Sequence, residues 1–159
     1  MDGNPKSLPK TIHASAMLVG ARAVLIRGPS GSGKSSFVLA LLRAGQSGTF
    51  PFVRLVADDR AHVSAVNGRL MVRPAQSLAG LVEARGLGIL RFPYEPAAIV
   101  GSVVDLGVPD LERMPPPAER ETVIAGIRLA RLAVAPGIDP MPLLQNVLDR
   151  AWLEGAKDI

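Results

Sequence analysis

The chain has 159 residues, 48% of them hydrophobic and only 4% aromatic, so it reads as one domain whose core is built from aliphatic side chains. Cysteine is absent, which excludes disulfides and thiolate metal sites and fits a reducing compartment. The net charge of +4 rests on scattered arginines, with no basic block and no interleaved aromatics; that argues against nucleic acid and for an acidic or phosphorylated partner.

Residues 1–10 carry Asp2, Pro5 and Pro9 and no apolar stretch, so they read as a flexible lead-in and not as a signal peptide. No apolar run approaches the roughly 18 residues of a membrane span. The expected place is the cytoplasm, with no membrane partner. Residues 11–18 and 22–26 read as two strands about a turn at Gly20, and His13 falls in the first, where an ordinary strand histidine is the plainer reading.

The next stretch, Arg27-Gly28-Pro29-Ser30-Gly31-Ser32-Gly33-Lys34-Ser35-Ser36, fits G-x-x-x-x-G-K-[ST] without a mismatch. An apolar strand precedes it, and Phe37, Val38, Leu41 and Leu42 recur after it at helical spacing. The glycines let backbone N–H groups turn inward on phosphate oxygens, and the helix start adds its dipole. Lys34 would sit on the outer phosphates and the Ser35 hydroxyl on Mg²⁺. The helix is expected over 34–44, with Gly45 as its C-cap.

Residues 52–57 form the next expected strand, ending in Asp58-Asp59. This is the position of a carboxylate that meets Mg²⁺ directly or through water, and two adjacent acids suit a general base; a solvated strand end is the bland alternative. Residues 62–66 and 69–72 alternate about Asn67-Gly68, a strong hairpin signal. Such a hairpin does not suit a plain doubly wound sheet. In Glu83-Ala84-Arg85-Gly86-Leu87-Gly88-Ile89 two glycines flank Leu87, beside a carboxylate and a guanidinium; a turn with an internal ion pair explains the pattern equally well. A buried strand is expected over 97–106, and the prolines of 109–117 make a loop or an edge. Short strands over 122–125 and 128–134, a turn at 135–138 and an amphipathic helix over 142–157 complete the reading. That helix, with Leu143, Leu144, Val147, Leu148, Ala151 and Trp152 on one stripe, either packs on the sheet or docks a partner.

From His13 to Arg150 the chain resembles the catalytic domain of bacterial HPr kinase/phosphorylase. The resemblance rests on the Glu83–Ile89 stretch, on the P-loop, on Leu55-Val56-Ala57-Asp58-Asp59-Arg60 and on Thr11-Ile12-His13, in that family's order. It implies an α/β P-loop nucleotide-binding domain with a mixed central sheet, akin to phosphoenolpyruvate carboxykinases, with an antiparallel hairpin and a C-terminal helix over 11–159. It also implies an ATP- and Mg²⁺-dependent kinase acting on a serine of the phosphocarrier HPr or a nitrogen-branch relative. By the same resemblance Lys34 holds the β/γ-phosphates, Ser35 the metal, Asp58 metal or water, and Glu83 a further metal position. Asp59 takes the serine proton, His13 tunes that base, and Arg113 stabilises the transferred phosphoryl group. Family habit implies a homo-oligomer, a hexamer.

Three departures qualify the resemblance. The family's common N-terminal domain has no counterpart in these residues, so a minimal form is expected. The segment between Ile89 and Asp105 is short. In Val134-Ala135-Pro136-Gly137-Ile138, Ala135 and Ile138 stand where arginines are expected, which puts the reverse, phosphorylase reaction in doubt. Two other readings stay open: a regulatory module that binds a partner in its nucleotide state, and a P-loop kinase of small molecules.

Overall fold

The computed structural model describes residues 9–155, with side chains through 149. The start of the expected lead-in, and Ala151, Trp152 and the end of the C-terminal helix stripe, lie outside the residues or side chains described.

Two antiparallel strands, β2 (Ala14–Val19) and β3 (Arg22–Arg27), turn at Gly20 as expected. On one side β4 (Val53–Ala57) pairs antiparallel with β2, and on the other β9 (Ala98–Asp105) pairs parallel with β3. β9 is the organising strand. It also carries β11 (Ile127–Ala133) in parallel and meets β6 (Arg69–Pro74) in antiparallel through Ala98 and Ile99. The sheet is therefore mixed. β10 (Glu121–Ile124) closes back on β11 through Ala125-Gly126, both at positive φ.

The sequence 11–18 does not form one strand. β1 (Lys10–Ile12) pairs with β5 (Ala61–Val66), and the chain then bends at His13 before β2 joins β3 and β4. A single strand would have kept one set of partners; the bend lets the β1–β5–β6 layer curl over the rest. The β5–β6 hairpin turns at Asn67-Gly68, at φ 52° and 74°, the left-handed pair that the type I′ turn demands.

Strict alternation gives the sheet two dry faces. Ala23, Leu25 and Val103 face one core with Val63, Leu70 and Val72 of the curled layer. Val24, Ile26 and Val104 face a second core with Phe37, Val38 and Leu41 of helix α1 (Lys34–Gln46) and Leu144 of α2 (Pro140–Gly155). Each such large side chain fully removed from water contributes about 1.5–3 kcal/mol.

Both helix limits differ from the expectation. α1 runs through Gly45, because that glycine serves packing and not capping: a Cβ there would lie 2.7 Å from Cβ of Val53. α2 begins two residues early, since Asp139 Oδ1 accepts the Met141 N–H at 3.0 Å and Pro140, which has no N–H to satisfy, follows the cap.

Candidate active site

β3, β4 and β9 end, and β2 begins, at one edge of the sheet. The registers Ala14↔Arg27, Ala16↔Ala57 and Arg27↔Asp105 line these ends up. The P-loop leaves β3 here. Gly31 and Gly33 take φ of 81° and 95°, and the loop closes with the Ser32 N–H donating to the Pro29 carbonyl at 3.0 Å. Gly28 has another constraint: a Cβ there would meet Ser32 Oγ at 2.5 Å and the Leu106 carbonyl at 3.0 Å. The first α-helical bond runs from the Phe37 N–H to the Gly33 carbonyl, so the preceding N–H groups are left for a ligand. Buried Lys34 donates from Nζ to the Gly28 carbonyl at 2.7 Å and to Pro29 at 3.3 Å, which holds its charge against the loop. Pro29, Ser30 and Ser36 are exposed around it.

The two aspartates after β4 face different ways. Asp58 is buried and turned to the P-loop, where the Ser35 hydroxyl donates to Oδ2 at 3.3 Å. Burial pushes its carboxyl above the ordinary value and the Asp59 charge adds to this, while hydrogen bonds from Ser15, the Glu83 N–H and Ser35 work the other way. Asp59 is turned outward at φ 64°, its carboxylate 2.5 Å from Nε2 of His13, with both side chains more than half exposed. A non-glycine residue there costs about 1–2 kcal/mol. Fully buried Ser15 holds the arrangement: it donates to Asp58 Oδ1 at 2.8 Å and accepts the Asp59 N–H at 3.0 Å.

Glu83 reaches this cluster through its backbone, its N–H donating to Asp58 Oδ2 at 3.3 Å, while its side chain is exposed. The glycine-flanked stretch forms a separate two-stranded hairpin, β7 (Leu81–Ala84) and β8 (Gly88–Arg91), with Arg85, Gly86 and Leu87 at the tip. Gly86 and Gly88 take φ of 86° and 95°, and Leu87 and Ile89 stand in solvent. Arg113 is exposed on the loop between β9 and β10 and makes no hydrogen bond or ion pair with the others among the described residues.

The sequence reading missed two features. Ser15 is one, a hydroxyl inside an otherwise apolar strand. The other is a charged knot beneath the P-loop. Asp105 accepts two bonds from Arg27, at 2.7 and 2.8 Å, and one from Arg131 at 2.5 Å; Arg131 also donates to the Glu119 carbonyl at 3.0 Å. Burial alone would raise the Asp105 carboxyl, but the arginines outweigh it and hold it below the usual value. The signal was present in Arg27 and Asp105, charges that end the apolar strands β3 and β9.

A family model of the HPr serine kinase C-terminal domain matches residues 7–94, which hold the P-loop, both aspartates and the β7–β8 hairpin. The chain belongs to this family. It is 36% identical to an HPr kinase/phosphorylase of Clostridium beijerinckii over 86 residues, 54% of this chain and 26% of the relative. It is 41% identical to one of Streptococcus thermophilus over 81 residues, 50% of this chain and 24% of the relative. The matched stretch thus spans about a quarter of these curated relatives. A solved structure, the Hpr(Ser) kinase/phosphatase of Coxiella burnetii, superposes with a TM-score of 0.74 at 25% identity, over 92% of this chain and 99% of that one. The shared fold is a mixed, curled α/β sheet with a C-terminal helix. Among the described residues no helix is long and apolar enough to cross a membrane. Arg113 and the turn at 135–138 lie outside the segment that the family model matches.

Proposed function

We propose that the chain is an ATP- and Mg²⁺-dependent protein-serine kinase whose substrate is an HPr-like phosphocarrier. One observation carries the reading: Ser15 holds two adjacent carboxylates in opposite directions, Asp58 toward the P-loop serine and Asp59 toward solvent beside His13. Nucleotide binding alone calls for no such exposed second carboxylate.

The donor set suits the cofactors. A hydroxyl and a carboxylate, Ser35 and Asp58, already lie within 3.3 Å and are the hard oxygen ligands that Mg²⁺ takes, and Glu83 is assigned a further place by family likeness. When bound, Mg²⁺ neutralises charge on the phosphate oxygens. Lys34 and the free N–H groups of the loop hold the β- and γ-phosphates. Asp59 accepts the proton of the substrate serine as its oxygen bonds to the γ-phosphorus and the bond from that phosphorus to the β-phosphate oxygen breaks, releasing ADP. His13 orients Asp59. Arg113 is assigned the charge on the transferred group by family likeness alone.

Ala135 and Ile138 offer no guanidinium to a second phosphate, so the forward direction is the proposed activity. The protein is proposed to work as a homo-oligomer in the cytoplasm, as one catalytic domain over 11–159 built on the phosphoenolpyruvate carboxykinase-like plan.

The deciding assay mixes the protein with Mg²⁺, γ-labelled ATP and HPr, in parallel with HPr whose target serine is alanine. Label on the first alone supports the reading. No label on either, with ATP still bound, overturns it in favour of a nucleotide-dependent binding module.

A further inference from the structure

The segment 109–120, between β9 and β10, contains no buried residue. The chain just before it is fixed on the P-loop frame. The Leu106 N–H donates to the Arg27 carbonyl at 2.8 Å, and the Val108 N–H to the Val134 carbonyl at 3.0 Å. The far end of the segment is the 3₁₀ turn Pro117–Arg120. There Arg131 Nη1 donates to the Glu119 carbonyl at 3.0 Å, the only hydrogen bond from 109–120 to the rest of the protein among the described residues. Arg131 places its Nε on Asp105, whose other partner, Arg27, is the residue before the P-loop. One guanidinium thus joins the far end of the segment to the strand that leads into the phosphate loop. Between that anchor and Arg113 stand Pro115, Pro116 and Pro117. Pro116 takes φ −62° and ψ 156°, the polyproline conformation, and prolines in that form make a semi-rigid spacer of about 3.1 Å per residue. Two further bonds brace it on the turn: the Glu119 N–H donates to the Pro116 carbonyl at 2.9 Å and Arg120 Nε to the Pro115 carbonyl at 3.1 Å.

We propose that Arg131 is a positioning residue for phosphoryl transfer: by holding the Glu119 carbonyl it fixes the proline run, and that run fixes where Arg113 stands relative to the P-loop. The inference rests on the kinase reading, in which Arg113 meets the charge of the transferred group. It accounts for how an exposed arginine without a partner of its own is kept in place. A tie at one end of a flexible chain would do little, but a tie at the root of a stiff one is carried along it. The role also requires arginine at 131. The planar fork presents Nε to the carboxylate and Nη1 to the carbonyl at once, whereas a lysine has a single nitrogen for both. Placement matters because a shift of about 1 Å at a reacting group can cost up to about 10²-fold in rate.

Two measurements on the full chain test this. The chain has no cysteine, so Met114→Cys, at an exposed position beside Arg113, takes a single nitroxide label. Its spectrum is expected to be broad in that parent and to sharpen in Arg131→Lys, which keeps the charge at Asp105 and gives up the carbonyl. It is expected to sharpen equally in Pro116→Gly, which breaks the proline run and leaves Arg131 intact. In phosphorylation of HPr by unlabelled protein, each of these two substitutions is expected to lower kcat about tenfold with the KM for ATP unchanged. Arg113→Ala is expected to lower kcat by about 10³, and Arg131→Lys in that background to lower it no further. Pro116→Gly, at an exposed position, carries the test where lysine at 131 unsettles the fold. Unchanged spectra, an unchanged kcat, a KM that rises in step with the kcat loss, or a further loss in the Arg113→Ala background would overturn the positioning role and leave the kinase standing. A wild type that transfers no label to HPr would overturn the kinase reading and this inference with it.

Discussion

Two neighbouring aspartates with one chemistry are separated by a single serine. Because Asp59 is exposed and Asp58 faces Ser35, their losses should differ in kind. Asp59→Asn is expected to lower phosphotransfer by about 10²–10⁴ while Mg·ATP affinity stays within error, because only the proton acceptor is removed. Rapid-quench turnover beside calorimetry checks this; an Asn variant with wild-type turnover would remove Asp59 from the chemistry. Ser15 acts through the aspartates and is a positioning residue. Ser15→Ala takes a donor from Asp58 and an acceptor from the Asp59 N–H, each worth about 1 kcal/mol, so kcat should fall roughly tenfold with the KM for ATP little changed. Ser15→Thr, which retains the hydroxyl, should recover part of it. A KM effect as large as the kcat effect would show plain structural damage. The aspartates were legible in the sequence because a strand ending in acid has a known place beside a P-loop. Ser15 was not, because one hydroxyl in an apolar strand carries no spacing signal; its partners are more than 40 residues away.

At the scale of elements, turns read from the sequence better than boundaries do. Asn67-Gly68 announced its hairpin because few residues tolerate two left-handed conformations in a row. The hairpin at Gly86 was hidden by its short strands, and the break at His13 by apolar residues on both sides of it, since partner choice is not written in local pattern. Gly45 was misread because a glycine at a helix end usually caps it, and only the approach of β4 reveals the other use. Magnitudes decide what alanine would do there. Helix propensity favours Ala over Gly by about 1 kcal/mol. A Cβ 2.7 Å from Val53 overpacks the contact, at about 1–3 kcal/mol. Gly45→Ala is therefore expected to destabilise by about 1 kcal/mol in urea unfolding, and the same substitution in a Val53→Gly background, which removes the opposing Cβ, should stabilise relative to that background. Additive effects in this double-mutant cycle would mean that the two residues do not meet as described.

For the whole molecule, the question is what holds the edge of the sheet square beneath the P-loop. The apolar strands made a two-faced sheet foreseeable, but not the way β9 gathers β3, β6 and β11, because strand order follows from long-range pairing. Where three of these strands end, Asp105 ties Arg27 of β3 to Arg131 of β11. Its carboxyl is held below the ordinary value near 3.9, so the folded state binds this proton less readily than the unfolded chain. The stabilisation is thus complete above about pH 4, and it is lost as the pH falls through the depressed folded value. Breaking a buried pair costs about 3–5 kcal/mol; the partial exposure of both arginines lowers the expectation to about 2–3 kcal/mol for Asp105→Asn at pH 7. Urea unfolding from pH 7 to pH 2.5 should show the wild type and the variant far apart at neutrality and converging below pH 4. Curves that stay parallel to the acid end would mean that Asp105 contributes packing without charge, and the edge would then owe its shape to the strands alone.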